Sequence, residues 1–249
     1  MIFDHDLWGW IVSDGPDFCH WGGKRQSLQL AELLRAEKKD RVLELCCGCG
    51  GLLQMIDQPT FVCGIDISSR ALGKAAGSQK SNARFVLGSV LNLPFADQSF
   101  TKLVSQDGDV WMFPQKESLM REIARVTACG GRFVWQNYAV TSALTKSAKK
   151  ITSERLSNCG YDSTDLPRTE DLMQVFGEAG FRILELRSLH ELYAADNRRM
   201  IKRFRGVKQE LLQRFSQTSV EAVGKLLEWE EVLFSEKAWT GVLIIAQKT

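Results

Sequence analysis

The run Val42-Leu43-Glu44-Leu45-Cys46-Cys47-Gly48-Cys49-Gly50-Gly51 constrains this chain more than any other. Arg41 to Leu45 reads as a short buried strand, and it gives way at once to a tight glycine-rich turn. The next strand-like run, Phe61 to Asp66, ends in a carboxylate twenty-two residues after Glu44. In open α/β sheets a ligand lies in the crevice at the carboxyl ends of the strands. Glycine lets the backbone approach that ligand closely, and a following helix offers free amide donors. A carboxylate at the end of the second strand can accept both hydroxyl hydrogens of a ribose. Loop and acid together point to an adenosine-type cofactor. The dinucleotide pattern G-x-G-x-x-G is not met, because Leu53 stands where its third glycine would follow Gly48 and Gly50. The Lys-Ser/Thr ending of a P-loop is also absent. The loop is therefore not built for a pyrophosphate or a triphosphate.

Strand and helix signals alternate around this loop, which predicts a mostly parallel, Rossmann-like sheet of seven strands with helices on both faces. After an irregular N-terminal stretch, a helix is expected around Ser27 to Leu34 and another from Leu52 to Ile56. Ser68 is a good N-cap for a helix through Ala76. Arg84–Leu87 and Phe100–Ser105 read as the third and fourth strands. A helix then carries Leu119, Ile123 and Val126, Gly130-Gly131 is expected to stop it, and Arg132–Trp135 is the fifth strand. Thr141–Ser157 reads as helix, and Thr169 as the cap of a helix through Ala179. Phe181–Leu186 is the sixth strand, residues from about Asp196 to Glu236 read as two helices, and Trp239–Gln247 closes the sheet. The expected domains are an N-terminal lid, 1–26, and a catalytic domain, 27–249, with a helical cap inserted at about 190–236.

Charge narrows the partners. A net charge of +2 on 249 residues is far from the large basic excess of a domain that grips many phosphates, which points away from nucleic acid. No apolar run approaches the roughly 20 residues of a membrane span. The first ten residues carry Asp4 and Asp6 and no Lys or Arg, unlike a secretory signal, so a cytoplasmic protein is expected. Seven cysteines at irregular spacing do not form a disulfide framework. Cys46, Cys47 and Cys49 lack the second paired cluster of a zinc site, so no metal is expected.

The Val42–Gly51 run resembles motif I of the class I S-adenosylmethionine-dependent methyltransferases, V-L-[DE]-x-G-x-G-x-G. Cys63-Gly64-Ile65-Asp66-Ile67-Ser68 is similar to that family's second motif. Leu93–Phe100 is similar to its L-P-F-x-D-x-S-F-D stretch. Arg121–Val126 followed by Gly130–Phe133 is similar to its E-x-x-R-V-L-K-P-G-G-x-L run, and Thr169–Phe181 and Gly241–Lys248 to its closing helix and strands. Two departures stand out. Cys46 replaces the first glycine, and Ser89 stands where relatives often carry the Asp that holds the adenine amino group.

The resemblance implies S-adenosyl-L-methionine as cofactor and a methyl transfer to N, O or C of a small molecule. It implies that Glu44 orients the loop and the methionine amine, with Cys46, Gly48 and Gly50 forming the cradle. Asp66 would take the ribose hydroxyls, Ile67 the adenine face, and Ser89 and Val90 the adenine flanks. Ser105 and Gln106 would meet the methionine end. Phe18-Cys19-His20-Trp21-Gly22-Gly23 is similar to the lid of small-molecule members such as sterol and glycine-type methyltransferases, and Ser105-Gln106-Asp107 to the S-Q-D run of sarcosine/dimethylglycine-type ones. Trp21 then faces the cofactor cation. His20 and Asp107 are the catalytic candidates, and Trp111, Tyr138 and Tyr193 the candidate pocket lining. From Asp196 to Phe215 seven basic residues face two acids, an excess that could attract an anionic substrate or simply be a solvated helix face. The rival functions are a non-catalytic binding or scaffolding protein on the same fold and a methyltransferase for RNA or protein. Neither acceptor atom nor oligomeric state follows from the residues.

Overall fold

A computed structural model describes residues 7, 11, 16–57, 61–77, 83–108, 115–142, 144–158 and 168–249. Seven strands form one sheet in the order β3-β2-β1-β4-β5-β7-β6: β1 Arg41–Leu45, β2 Phe61–Asp66, β3 Ala83–Leu87, β4 Phe100–Gln106, β5 Thr127–Val140, β6 Phe181–Ser188 and β7 Trp239–Lys248. β1 to β5 pair in parallel, while β7 runs antiparallel between β5 and β6. The fold class is thus the expected one, with helices against the sheet.

The helices are α1 Gly23–Leu34, α2 Ser69–Gly77, α3 Lys116–Val126, α4 Lys146–Asn158, α5 Leu172–Glu178, α6 His190–Arg214 and α7 Gln217–Ser235. Central strands buried on both faces must be apolar at almost every position, and alternate residues go to opposite sides. Val42, Val62, Val104, Val134 and Leu243 pack with Leu30 and Leu34 of α1. Leu43, Leu103, Phe133, Trp135 and Ile244 pack on the other side with Leu119 and Ile123 of α3 and Phe176 of α5. A third cluster joins Leu7, Ile11, Trp21, Tyr138, Tyr193, Phe234 and Trp239, so it ties the N-terminal segment to α6, α7 and the start of β7.

Three local expectations are revised. Leu52–Ile56 is not a helix but a single 3-10 turn, Leu53–Met55, because the glycine loop leaves no room for a longer element before β2. α3 ends at Val126, ahead of Gly130-Gly131, where the Thr127 hydroxyl bonds the Ile123 carbonyl and the chain turns straight into β5. The first helix of the insertion between β6 and β7, expected from about Asp196, begins at His190, and α6 and α7 make up the insertion. No helix of the described residues is long and apolar enough to cross a membrane.

The strand order reverses between β1 and β4, which places the ligand crevice at their carboxyl ends.

Candidate active site

The glycine loop sits in that crevice. Cys46 (φ 56°), Gly48 (φ 50°) and Gly50 (φ 75°) all adopt left-handed backbone. At Gly50 a side chain is also excluded sterically, since a Cβ would come within 2.8 Å of the Phe85 ring. At Gly48 no atom lies within 4 Å of a would-be Cβ, so its backbone faces open space. Asp66, at the end of β2, accepts the Gly48 amide (2.9 Å) on one oxygen and the Ser68 amide (2.9 Å) on the other. The same carboxylate therefore fixes the loop and starts α2, whose first turn the Ser68 hydroxyl caps at Ala71 (3.2 Å).

Glu44 is buried in β1, and its Oε2 has no hydrogen-bond partner among the described residues. Burial, reinforced by the Asp66 charge, pushes its carboxyl well above the usual 4.5, while the Leu53 backbone opposes this. In the neighbouring strand β4, Ser105, paired with Leu45, has a buried Oγ with no partner among the described residues, and the same holds for Gln106 Nε2. A buried polar atom without a partner costs about 1–3 kcal/mol. Three of them on β1 and β4 beside one loop make an arrangement complementary to a polar ligand.

The raised Glu44 value has a testable sign. Its contribution to stability is fully present below the unfolded carboxyl's 4.5 and is lost as pH rises through the folded value. The ligand-free protein is expected to melt at progressively lower temperature as pH rises above the ordinary carboxyl value of 4.5, and Glu44→Gln to flatten that trend. Equal slopes in the two thermal-melt series would show that another group carries it.

Ile67 is 77% exposed at the mouth of the crevice. Ser89 is exposed and its hydroxyl accepts the Leu91 amide (3.2 Å). The Val90 side chain, in contrast, is buried in the sheet cluster, which corrects its placement against a ligand.

The N-terminal segment lies on this loop. A Cβ on Gly51 would meet the Asp17 carbonyl at 2.1 Å and the Phe18 ring at 3.0 Å. His20 Nε2 is 3.4 Å from the Ser27 hydroxyl, which donates to Gln106 Oε1 (2.9 Å), so a polar chain leads from the segment to the end of β4. The Trp21 amide donates to Asp107 Oδ2 (2.9 Å), the Gln136 amide reaches the same oxygen (3.3 Å), and the Tyr193 hydroxyl donates to Asp107 Oδ1. Both Asp107 oxygens are thereby engaged, and its backbone is left-handed (φ 50°). Three donors from three separate segments meet this carboxylate, which ties Asp107 to the segment, to β5 and to α6.

Tyr193 and Tyr138 are core residues, which corrects their placement in the pocket lining. Tyr193 is fully buried, stacks on Trp21 (centroids 5.2 Å apart) and lies over Gly241, where a Cβ would come within 2.4 Å of its ring. Burial and the Asp107 charge push its phenol well above the usual 10. Tyr138 stacks flat on Trp239 (4.9 Å), under the Arg155 guanidinium. The Trp21 ring is likewise held, between Tyr193 and Phe234. Trp111 lies outside the described residues.

Burial pushes the Cys19 thiol up to about 12 and the Cys63 thiol to about 11, and raises Cys47 and Cys49 as well. Cys47 and Cys63 are buried, and Cys19 and Cys49 are half-buried. Among the described residues no three His, Cys, Asp or Glu side chains gather to hold a metal. Of the basic run on α6, Arg198, Lys202 and Arg205 line an open hollow with Ile201 and Glu231, and none of these five belongs to the crevice.

Sequence reasoning missed Gln136, its partner Gln26, which donates from Nε2 to Gln136 Oε1 (2.7 Å), and Asp196, which accepts the Gly22 amide (2.8 Å). Gln136 had a signal, a polar residue inside the apolar run of β5. Asp196 had none, being one acid among many on a charged helix.

Residues 42–131 match the family described as "Methyltransferase domain". The chain is 27% identical over 200 residues to the methyltransferase GfsG of Streptomyces halstedii, covering 77% of this chain and 70% of that protein. Its fold matches a phosphoethanolamine N-methyltransferase 2 of Haemonchus contortus, solved with phosphomonomethylethanolamine and S-adenosylhomocysteine (TM-score 0.85, 20% identity, all of this chain and 58% of that one). It also matches a sarcosine dimethylglycine methyltransferase described as putative, from Galdieria sulphuraria (TM-score 0.80, 17% identity, 90% and 86% covered). The chain spans little more than half the length of the Haemonchus enzyme. Residues 42–131 thus carry a methyltransferase domain, and the crevice and the fold are like those of S-adenosylmethionine-dependent methyltransferases. Its cofactor is S-adenosyl-L-methionine.

Proposed function

We propose that Glu44, Cys46, Gly48, Gly50, Asp66, Ile67, Ser89, Ser105 and Gln106 hold the cofactor, and that the acceptor enters beneath the segment carrying His20 and Trp21. The observation that carries this reading is the set of buried atoms with no partner among the described residues, Glu44 Oε2, Ser105 Oγ and Gln106 Nε2, on the two strands flanking the crevice. Their chemistry fits the amino-acid end of the cofactor: an ionised Glu44 accepts from an ammonium, and Gln106 donates to a carboxylate. Asp66 keeps acceptor capacity for a ribose beyond its two backbone bonds. Ile67 offers an exposed apolar face to the adenine.

When bound, the cofactor supplies an electrophilic methyl group for in-line attack. The chain's part is to position the partners and keep water out. Residues 17–21 do the second, since they already cover the loop at Gly51. For a protic nucleophile His20 accepts the proton, its ring oriented by Ser27 and through it by Gln106. Asp107 holds the segment through the Trp21 amide. The acceptor is a small molecule and not nucleic acid, in keeping with the net charge of +2.

Calorimetry with S-adenosylmethionine and S-adenosylhomocysteine, followed by a labelled-methyl screen over small amines, phenols and activated carbon acids, tests this. Binding of both compounds and label transfer to one acceptor class is the expected result. Failure to bind either compound would refute the proposed pocket.

A further inference from the structure

The geometry points to Asp196, on the cap helix α6, as a positioning residue that latches the N-terminal segment shut over the cofactor loop. This rests on the reading that residues 17–21 cover the cofactor. Two successive backbone amides of the segment are caught by two carboxylates from different parts of the fold. Trp21 N–H goes to Asp107 after β4 (2.9 Å), and Gly22 N–H to Asp196 Oδ2 on α6 (2.8 Å). Gly22 is the N-cap of α1 in left-handed backbone (φ 83°), and Asp196 accepts its N–H, the bond that a Glu or Gln three residues on would make in a capping box, where this chain has Arg25.

Asp196 is itself held. It is 6% exposed, and its other oxygen pairs with Arg199 one turn on. Tyr193, one turn earlier on the same helix, stacks on the Trp21 ring and donates its hydroxyl to Asp107. The cap helix thus grips the segment through Asp196 directly and through Tyr193 and Asp107 indirectly. The segment in turn lies on Gly51, where no Cβ fits between the loop and the Asp17 carbonyl. A ligand that shifts α6 shifts the loop cover with it, so the two halves of the site are linked through residues 21 and 22.

The test uses the full chain and three variants. Asp196→Ala removes the acceptor, Asp196→Asn keeps a carbonyl oxygen for Gly22, and Asp66→Ala reports on the cofactor pocket itself. Asp196→Ala is expected to raise the Kd for S-adenosylmethionine about tenfold and to speed amide exchange at residues 21 and 22, with kcat at saturating cofactor within about twofold of the parent. Asp196→Asn is expected to restore affinity to within about threefold. Thermal melts confirm that each variant is folded. A folded Asp196→Ala protein with unchanged Kd overturns the latch, as does a loss that Asp196→Asn fails to rescue. Should Asp66→Ala also leave the Kd unchanged, the reading of the pocket fails instead.

Discussion

Replacing Asp66 by alanine is expected to weaken S-adenosylmethionine binding by about 2–3 kcal/mol, or about 30- to 150-fold in Kd. Two effects add. The proposed bonds to the ribose hydroxyls involve a charged acceptor, and such bonds contribute about 1.5–3 kcal/mol together with the cost of leaving partners unpaired. Asp66 also organises the cradle before any ligand arrives, through the Gly48 and Ser68 amides. Gly48 holds a left-handed conformation that its single amide bond to Asp66 helps to fix, so the variant must order the loop on binding. Asp66→Asn should fall between the two, because its amide keeps one acceptor oxygen and turns the other into a donor. Isothermal calorimetry reads both. An unaltered Kd in Asp66→Ala places the ribose elsewhere.

Arg155→Ala should be the most destabilising single substitution away from the crevice, by about 3–5 kcal/mol. Arg155 of α4 donates from Nε to Glu230 of α7 (2.9 Å), and the Glu230 side chain is buried to 1% exposure. The guanidinium also lies over the rings of Tyr138 (5.5 Å) and Trp239 (4.9 Å). Truncation strands the carboxylate in a dry cluster and opens space under two aromatic rings. Burial already raises the Glu230 carboxyl and Arg155 opposes that rise, so removing the arginine raises it further. A raised folded value means stability is retained below the ordinary 4.5 and lost as pH climbs. The deficit of the variant should therefore be small near pH 4.5 and widen toward neutrality, as chemical denaturation at a series of pH values can show. Replacing both partners with Met and Leu should recover most of the loss, because no charge then remains buried. A variant deficit independent of pH would assign the cost to packing alone.

Much of the fold was legible because its signals are local. Short apolar runs bounded by glycines or acids and alternating with helical stretches read as buried strands, and Gly48, Gly50 and Asp66 are read from their own neighbourhoods. The Ser68 cap is equally local, and the structure shows it. The boundaries of Leu53–Met55 and α3 were misjudged because loop geometry and strand pairing, not helical period, set where those elements end.

The sequence by itself determined the sheet class, the turn after β1 and the carboxylate after β2, and hence the cofactor class. Only the tertiary structure decided what Asp107, Tyr138, Tyr193 and Asp196 do. Their roles depend on partners 86, 101, 86 and 174 residues away in the chain, in the contacts of Asp107 with Trp21, Tyr138 with Trp239, Tyr193 with Asp107, and Asp196 with Gly22. A tyrosine that lines a pocket and one that holds a carboxylate in the core look alike in a sequence. The difference lies in desolvation and in which donors reach the same oxygen, and both arise only when distant segments meet.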